Sequence, residues 1–130
     1  MKTGRRFSIS ERISSFRHAL KGIEDLVQSE HNFRIHLAVL ILVIAAGILL
    51  GISASEWIAV ILVSAIVLIT EAINSSLENL ADLVSEDENE KIRKTKDMAA
   101  AAVLFAATAA VITGLIIFLP YLYLLWRGFQ

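Results

Sequence analysis

Cysteine is absent from the chain, which excludes a disulfide framework and any thiolate metal site. Proline occurs once and glycine six times, so turn-formers are scarce. Neither a G-x-x-x-x-G-K-[ST] nor a G-x-G-x-x-G string is present. A nucleotide bound here would therefore rest on side chains and metal rather than on a glycine-rich backbone cradle. No internal repeat and no low-complexity tract occurs. The first long apolar run begins about 36 residues in, too late for a cleavable signal peptide.

What fills the chain is apolar side chain. Of 130 residues 56% are hydrophobic, and the mean hydropathy is +0.66. That is more than a water-soluble fold of this size can hide, and the length is that of one domain. The net charge of −1 says little about partners, because the charges are segregated along the chain, and no nucleic-acid partner is expected.

The segment 8–29 reads as an amphipathic helix. Ile9, Ile13, Phe16, Leu20, Ile23 and Val27 recur at steps of four and three, making one apolar face. Ser8 and Glu11 form an S-x-x-E capping box at its start. Arg12, Arg17 and Lys21 lie off the apolar face, which suits a helix lying on an anionic membrane surface. Apolar spans follow at 33–52, 57–84 and 98–119, the last ending before Pro120. Trp57, Tyr121, Tyr123 and Trp126 mark one interface. The N-terminal segment up to Arg34 carries seven Lys and Arg and the second loop four, whereas the first loop has none and the C-terminus only Arg127. The positive-inside rule then places the N-terminus in the cytosol and the C-terminus outside.

A line of polar residues breaks the second span. Glu71, Asn74, Glu78 and Asp82 are separated by three, four and four residues. At about 100° per residue they fall near 0°, 300°, 340° and 20°, one narrow stripe. A carboxylate in a membrane span costs roughly 2.5–3.5 kcal/mol on insertion scales, so the stripe needs partners, metal or water. From Trp57 to Glu71 is about 21 Å of helix, which puts Glu71 in the inner part of a hydrocarbon core of roughly 30 Å. The stripe thus runs from lipid interior to cytosolic water.

Glu30 stands where the surface helix meets the first span. It can pair with Arg34 at i,i+4, or it can reach the level of Glu78 from a different helix. In the second case two carboxylates with Asn74 nearby make a hard oxygen site suited to Mg²⁺. Lys96 and Asp97 bound the third span at the same level, and a Lys beside carboxylate-bound Mg²⁺ can clamp a triphosphate. His18, His31 and His36 show no metal-ligand spacing, and headgroup contact is their default. The stretch 86–96 reads as a solvated helix or loop with Asp87–Lys91 and Glu90–Lys94 pairs. In the third span Ala99, Ala102, Ala106, Ala109, Ala110, Thr113 and Gly114 make a small-residue packing seam. A single protomer is expected to wrap its own carboxylates poorly, so the chain should oligomerise.

The strings Glu71-Ala72-Ile73-Asn74-Ser75-Ser76-Leu77-Glu78, followed by Asp82, and Lys96-Asp97-Met98-Ala99-Ala100-Ala101-Ala102 carry a resemblance. With Phe16-Arg17-His18-Ala19 and Glu30-His31-Asn32-Phe33-Arg34-Ile35-His36, the chain resembles the bacterial integral-membrane diacylglycerol kinase and undecaprenol kinase family from about Phe16 to Pro120. The resemblance implies an all-α integral membrane homotrimer with active sites shared between protomers, in the bacterial cytoplasmic membrane. It implies ATP-dependent phosphorylation of a membrane lipid hydroxyl. Glu71 matches the family's catalytic base, and Glu30 and Glu78 match its metal-binding carboxylates. Asn74, Lys96 and Asp97 match polar active-site positions, and His18 falls at a nucleotide-contacting position. The loop Asp87-Glu88-Asn89 departs from the family's Glu-Tyr-His, so adenine contacts there do not carry over. Ala99-Ala100 and Asn-Phe-Arg-Ile-His look more like the undecaprenol kinase branch, with diacylglycerol the alternative acceptor.

From the residues alone, an oligomeric channel or proton-coupled subunit competes, since intramembrane carboxylates also line ion pathways. A conduction path needs polar residues throughout, and between Trp57 and Ile69 the span offers only Ser64. A scaffold held by salt bridges would have to explain why acids outnumber bases along the stripe.

Overall fold

The computed structural model describes residues 8–84 and 89–128. They form four helices and, among the described residues, no strand: α1 (Ile9–Ser29), α2 (His31–Leu50), α3 (Ala54–Val84) and α4 (Glu90–Gly128). Asp87, Glu88 and the Asp87–Lys91 pair lie outside the described residues. The helices α2, α3 and α4 are each long and apolar enough to cross a membrane. Among the described residues the buried hydrophobic side chains are few, namely Phe33, Ile52, Val60, Val67, Ala106 and Ile117. Ile41, Leu42, Phe105 and Ile116 are all at least 60% exposed. A chain with so little interior and so much bare aliphatic surface has lipid as its solvent.

Helix boundaries follow local chemistry. Ser8 caps α1 by accepting from the Glu11 N–H at 3.5 Å. Glu30 is extended (φ −97°, ψ 112°) and forms the joint between α1 and α2. The helix α2 stops at Gly51, whose φ of 65° a side chain would strain, and the Ile52 N–H donates back to the Gly47 carbonyl at 3.2 Å. A reciprocal capping box opens α3. The Ser53 hydroxyl accepts from the Glu56 N–H at 3.4 Å, while the Glu56 carboxylate accepts from the Ser53 N–H at 2.7 Å.

The helix that carries the third apolar run is longer than the run itself. It begins at Glu90 and continues through Pro120 to Gly128. Its start is set by Asn89, whose side-chain oxygen accepts from the Lys91 N–H at 2.9 Å, and by Glu90–Lys94 and Arg93–Asp97 pairs at 2.7 and 2.9 Å. At the other end Pro120 forfeits one backbone hydrogen bond. The next residue compensates, because the Tyr121 hydroxyl donates to Glu56 Oε2 at 2.8 Å and ties α4 to the start of α3.

Two contacts at opposite ends show α3 and α4 to be antiparallel. Tyr121 meets Glu56 at one end and Lys96 meets Asp82 at the other, Nζ to Oδ1 at 2.9 Å. The face of α4 turned to α3 includes Ala106 and Ala110, but Ala102 and Ala109 point away and are exposed. The small-residue seam is therefore narrower than the run of alanines. At the end bearing Glu56, α2 approaches α3 closely. A Cβ on Gly47 would lie 2.8 Å from Trp57 Cη2 and 3.1 Å from Ile52 Cδ1. Gly47→Val is expected to cost about 3 kcal/mol through overpacking against that ring. Thermal unfolding in detergent checks this, and an unchanged midpoint would contradict the contact.

Candidate active site

The polar stripe is real and mostly enclosed by the chain itself. Glu71, Asn74 and Ser75 are the buried polar residues among those described, at 2%, 5% and 2% exposure. Of the stripe's carboxylates the single chain buries Glu71 alone, whereas Glu78 is half-buried and Asp82 exposed. Below Glu71, the Asn74 amide donates to Glu78 Oε1 at 3.0 Å. That bond fixes the side chain so that Asn74 Oδ1 is buried with no hydrogen-bond partner among the described residues, and Ser75 Oγ is in the same state. Its neighbour Ser76 returns its hydroxyl to the Ala72 carbonyl at 2.7 Å, as helical serines commonly do. Ser75 does not, and two unsatisfied oxygens on adjacent residues of one buried face call for an absent partner.

Glu30 comes to this stripe from the α1–α2 joint. It lines a cleft of about 390 Å³ between α1 and α3, with Asp25 and Ser29 on one wall and Ser75, Ser76 and Asn79 on the other. Its carboxylate accepts from the Ser29 hydroxyl at 3.3 Å, and among the described residues it forms no ion pair with Arg34. Glu30 thus faces α3 across the cleft beside Ser75, while Glu78 lies two turns along α3 from Glu71. Ala19 and Gly22 on α1 also line the cleft, and a Cβ on Gly22 would meet nothing within 4 Å, so the cleft is open there.

The remaining expected residues stand further out. Lys96 is bonded to Asp82 and also feels Glu78, so it guards the exposed end of the stripe. Asp97 is 64% exposed and occupied by Arg93. His18 contacts Ser14 at 3.3 Å on the exposed surface of α1. It lies about 18 Å up that helix from Glu30, twelve residues at 1.5 Å each. A single chain thus brings together Glu30, Glu71, Asn74 and Glu78, with Lys96 beside them, and leaves His18 and Asp97 apart.

Sequence reasoning missed two residues. Ser75 lies about 40° from Glu71 around the helix, so the angular argument could have found it. His36 could not be found that way. It sits on α2 with Nε2 4.0 Å from Glu71 Oε2. It also lines a second groove of about 390 Å³ enclosed by α2, α3 and α4. Val39, Val60, Val67, Ala110 and Phe118 make that groove apolar, with Ser64 and Thr113 its few hydroxyls. Glu71 is one helical turn beyond Val67, so the groove ends beside the buried carboxylate.

Among the described residues no three acidic or histidine side chains form a metal cage. Mg²⁺ does not need one, because it commonly takes one or two carboxylates and completes its shell with water and substrate phosphate. The donors here are oxygens only, Glu78, Glu30 and the orphaned Asn74 Oδ1, which fits a hard cation of that kind.

Comparison with known proteins gives the site a context. The profile of the prokaryotic diacylglycerol kinase family matches residues 17–118. The undecaprenol kinase of Bacillus subtilis is 35% identical over 108 residues, covering 83% of this chain and 88% of its own. The diacylglycerol kinase of Synechocystis sp. is 41% identical over 107 residues, 82% of this chain and 61% of its own. That of Escherichia coli K12 is 30% identical over 112 residues, 86% of each.

Proposed function

The chain belongs to the prokaryotic diacylglycerol kinase family, membrane lipid kinases that use ATP, and from that premise we propose that it phosphorylates undecaprenol at the Glu71–Asn74–Glu78 stripe. The observation that carries this reading is a buried carboxylate at the end of an apolar groove, with a carboxamide and a second carboxylate leading away from it towards solvent. The groove takes the lipid chain and the polar end takes the nucleotide.

In this reading the acceptor hydroxyl lies against Glu71. Its oxygen bonds to the γ-phosphorus as the bond from that phosphorus to the β,γ-bridging oxygen breaks. ADP leaves, and the hydroxyl proton passes to the Glu71 carboxylate. Glu30 and Glu78 hold Mg²⁺, with Asn74 Oδ1 beside them. When bound, the ion draws charge from the phosphate oxygens. Lys96 adds positive charge at the exposed end. Its present partner, Asp82, is an exposed side chain that a triphosphate can displace.

A homotrimer with shared sites accounts for His18 and Asp97, which stand apart from Glu71 within one chain. A neighbouring protomer's α1 or α4 can supply them. The exposed row Ile9, Ile13, Phe16 and Leu20 fits α1 lying on the membrane surface. The Lys and Arg distribution puts the N-terminus and the Lys96 end in the cytosol and the C-terminus outside. Diacylglycerol is the second acceptor to test, because curated relatives include kinases of both names.

Purified protein in mixed micelles with labelled ATP and Mg²⁺, offered undecaprenol and diacylglycerol separately, tests the proposal. Undecaprenyl phosphate is the expected product, formed at least about 10-fold faster than phosphatidate, a margin in the range that groove contacts supply. A preference for diacylglycerol would overturn the acceptor assignment, and no labelled lipid from either would overturn the site.

A further inference from the structure

We propose that His36 holds the acceptor hydroxyl against Glu71, donating from Nε2 to the same oxygen whose proton Glu71 accepts. The inference rests on the lipid-kinase reading of this site and adds a residue to it.

Three observations lead here. His36 Nε2 and Glu71 Oε2 are 4.0 Å apart, too far for a direct hydrogen bond. An oxygen about 2.8 Å from both atoms would subtend roughly 90° between them, well within the angular range of a hydroxyl that donates one hydrogen bond and accepts another. His36 is also the polar residue of the apolar groove nearest Glu71, so it faces the chain of a bound lipid on one side and the base on the other. Finally, Glu71 makes no hydrogen bond with any described side chain, which leaves its inner oxygen free for a substrate group.

The chemistry is consistent with the step it serves. A hydroxyl oxygen has one bond to carbon, one to hydrogen and two lone pairs. With the hydrogen directed to Glu71 and one lone pair accepting from His36, the other lone pair is left for phosphorus. The oxygen is thereby held between the two groups, which matters because misplacement of a nucleophile by about 1 Å can cost 10²-fold in rate. The histidine acts here as the neutral tautomer protonated on Nε2. It holds the nucleophile and neither gains nor loses a proton in the transfer.

Three variants test the role. In His36→Leu the donor is lost, and kcat/KM for the lipid alcohol is expected to fall by about 10²-fold while the KM for ATP stays within about 2-fold. In His36→Gln the side-chain amide nitrogen stands close to the place of Nε2, so activity should return to within about 5-fold of wild type. His36→Asn, shorter by one methylene, should remain defective. Wild-type rates for His36→Leu overturn the inference, as do equal rates for the Gln and Asn variants, a comparison that stands even if His36→Leu fails to assemble. A parallel rise in the KM for ATP would mark His36 as a packing residue and overturn it too. These failures leave the wild-type enzyme phosphorylating lipid, whereas failure of the underlying reading would appear as a wild-type protein that labels no lipid.

Discussion

Glu71→Gln is expected to reduce turnover of the lipid alcohol by about 10³-fold while the protein remains folded, the scale of losing a positioned general base. The substitution keeps shape and volume, so the enclosed site need not collapse. It removes the group that takes the hydroxyl proton as the O–P bond forms. Stability should not suffer, because among the described residues Glu71 has no hydrogen bond to lose and the His36 ring stands 4.0 Å away. An isolated buried carboxylate is more burden than support, and a neutral amide in its place is neutral or mildly stabilising. The measurement is kcat at saturating lipid and nucleotide, paired with thermal unfolding in the same detergent. Retention of more than about 5% of wild-type turnover, well above what loss of a base permits, would remove Glu71 from the role of base. The binding steps should be spared, so the KM values for ATP and lipid are expected to stay near wild type.

The sequence made some levels of this molecule legible and left others opaque, for definable reasons. The spans could be read because lipid exposure makes hydropathy nearly uniform around a helix, and no turn chemistry competes inside them. The stripe could be read because Glu71, Asn74 and Glu78 lie on one helix, where angle is arithmetic. Ser53–Glu56 has the same S-x-x-E pattern that starts α1 at Ser8–Glu11, yet it reads at first sight as a plain connector. The helix α4 runs on past the apolar run although Pro120 is a strong local stop signal, and a tertiary bond, Tyr121 to Glu56, holds the far side of the proline across 65 residues of chain. The charged start of α4 was ambiguous for a similar reason, since i,i+4 pairs suit an exposed helix equally whether or not it continues into a span.

At the site the boundary between legible and hidden is the boundary between one helix and two. His36 meets Glu71 only through the packing register of α2 on α3, which no periodicity within α2 encodes. At the other end of the pair the two helices pack closely, where a Cβ on Gly47 would lie 2.8 Å from the Trp57 ring. Glu30 stood between the two cases. Its position before the first span was plain, but only the extended geometry at the α1–α2 joint turns it towards the serines of α3 rather than along its own helix to Arg34.

Removal of either carboxylate proposed to hold the metal, Glu30 or Glu78, is expected to give the second large effect. Glu78→Gln retains an oxygen that can accept from the Asn74 amide, so the hydrogen bond at 3.0 Å can survive while the charge is lost. Turnover at fixed Mg²⁺ is expected to fall by about 10²-fold, the scale of losing one electrostatic contact to a transferring phosphoryl group. Raised Mg²⁺ should recover part of that loss. Glu30→Gln should behave in the same way, although it sits on a different element and touches only Ser29 within the chain. The double variant is the stronger test. If both carboxylates hold one ion, losing the second after the first removes little more, and the double variant should be no more than about 3-fold worse than the poorer single one. Independent roles, such as one carboxylate for metal and one for packing, would make the losses multiply. Titration of Mn²⁺ by its paramagnetic effect on water gives a reading that does not depend on turnover. Both single variants should weaken binding, and an unchanged affinity in Glu30→Gln would leave Glu78 to hold the ion without the α1–α2 joint.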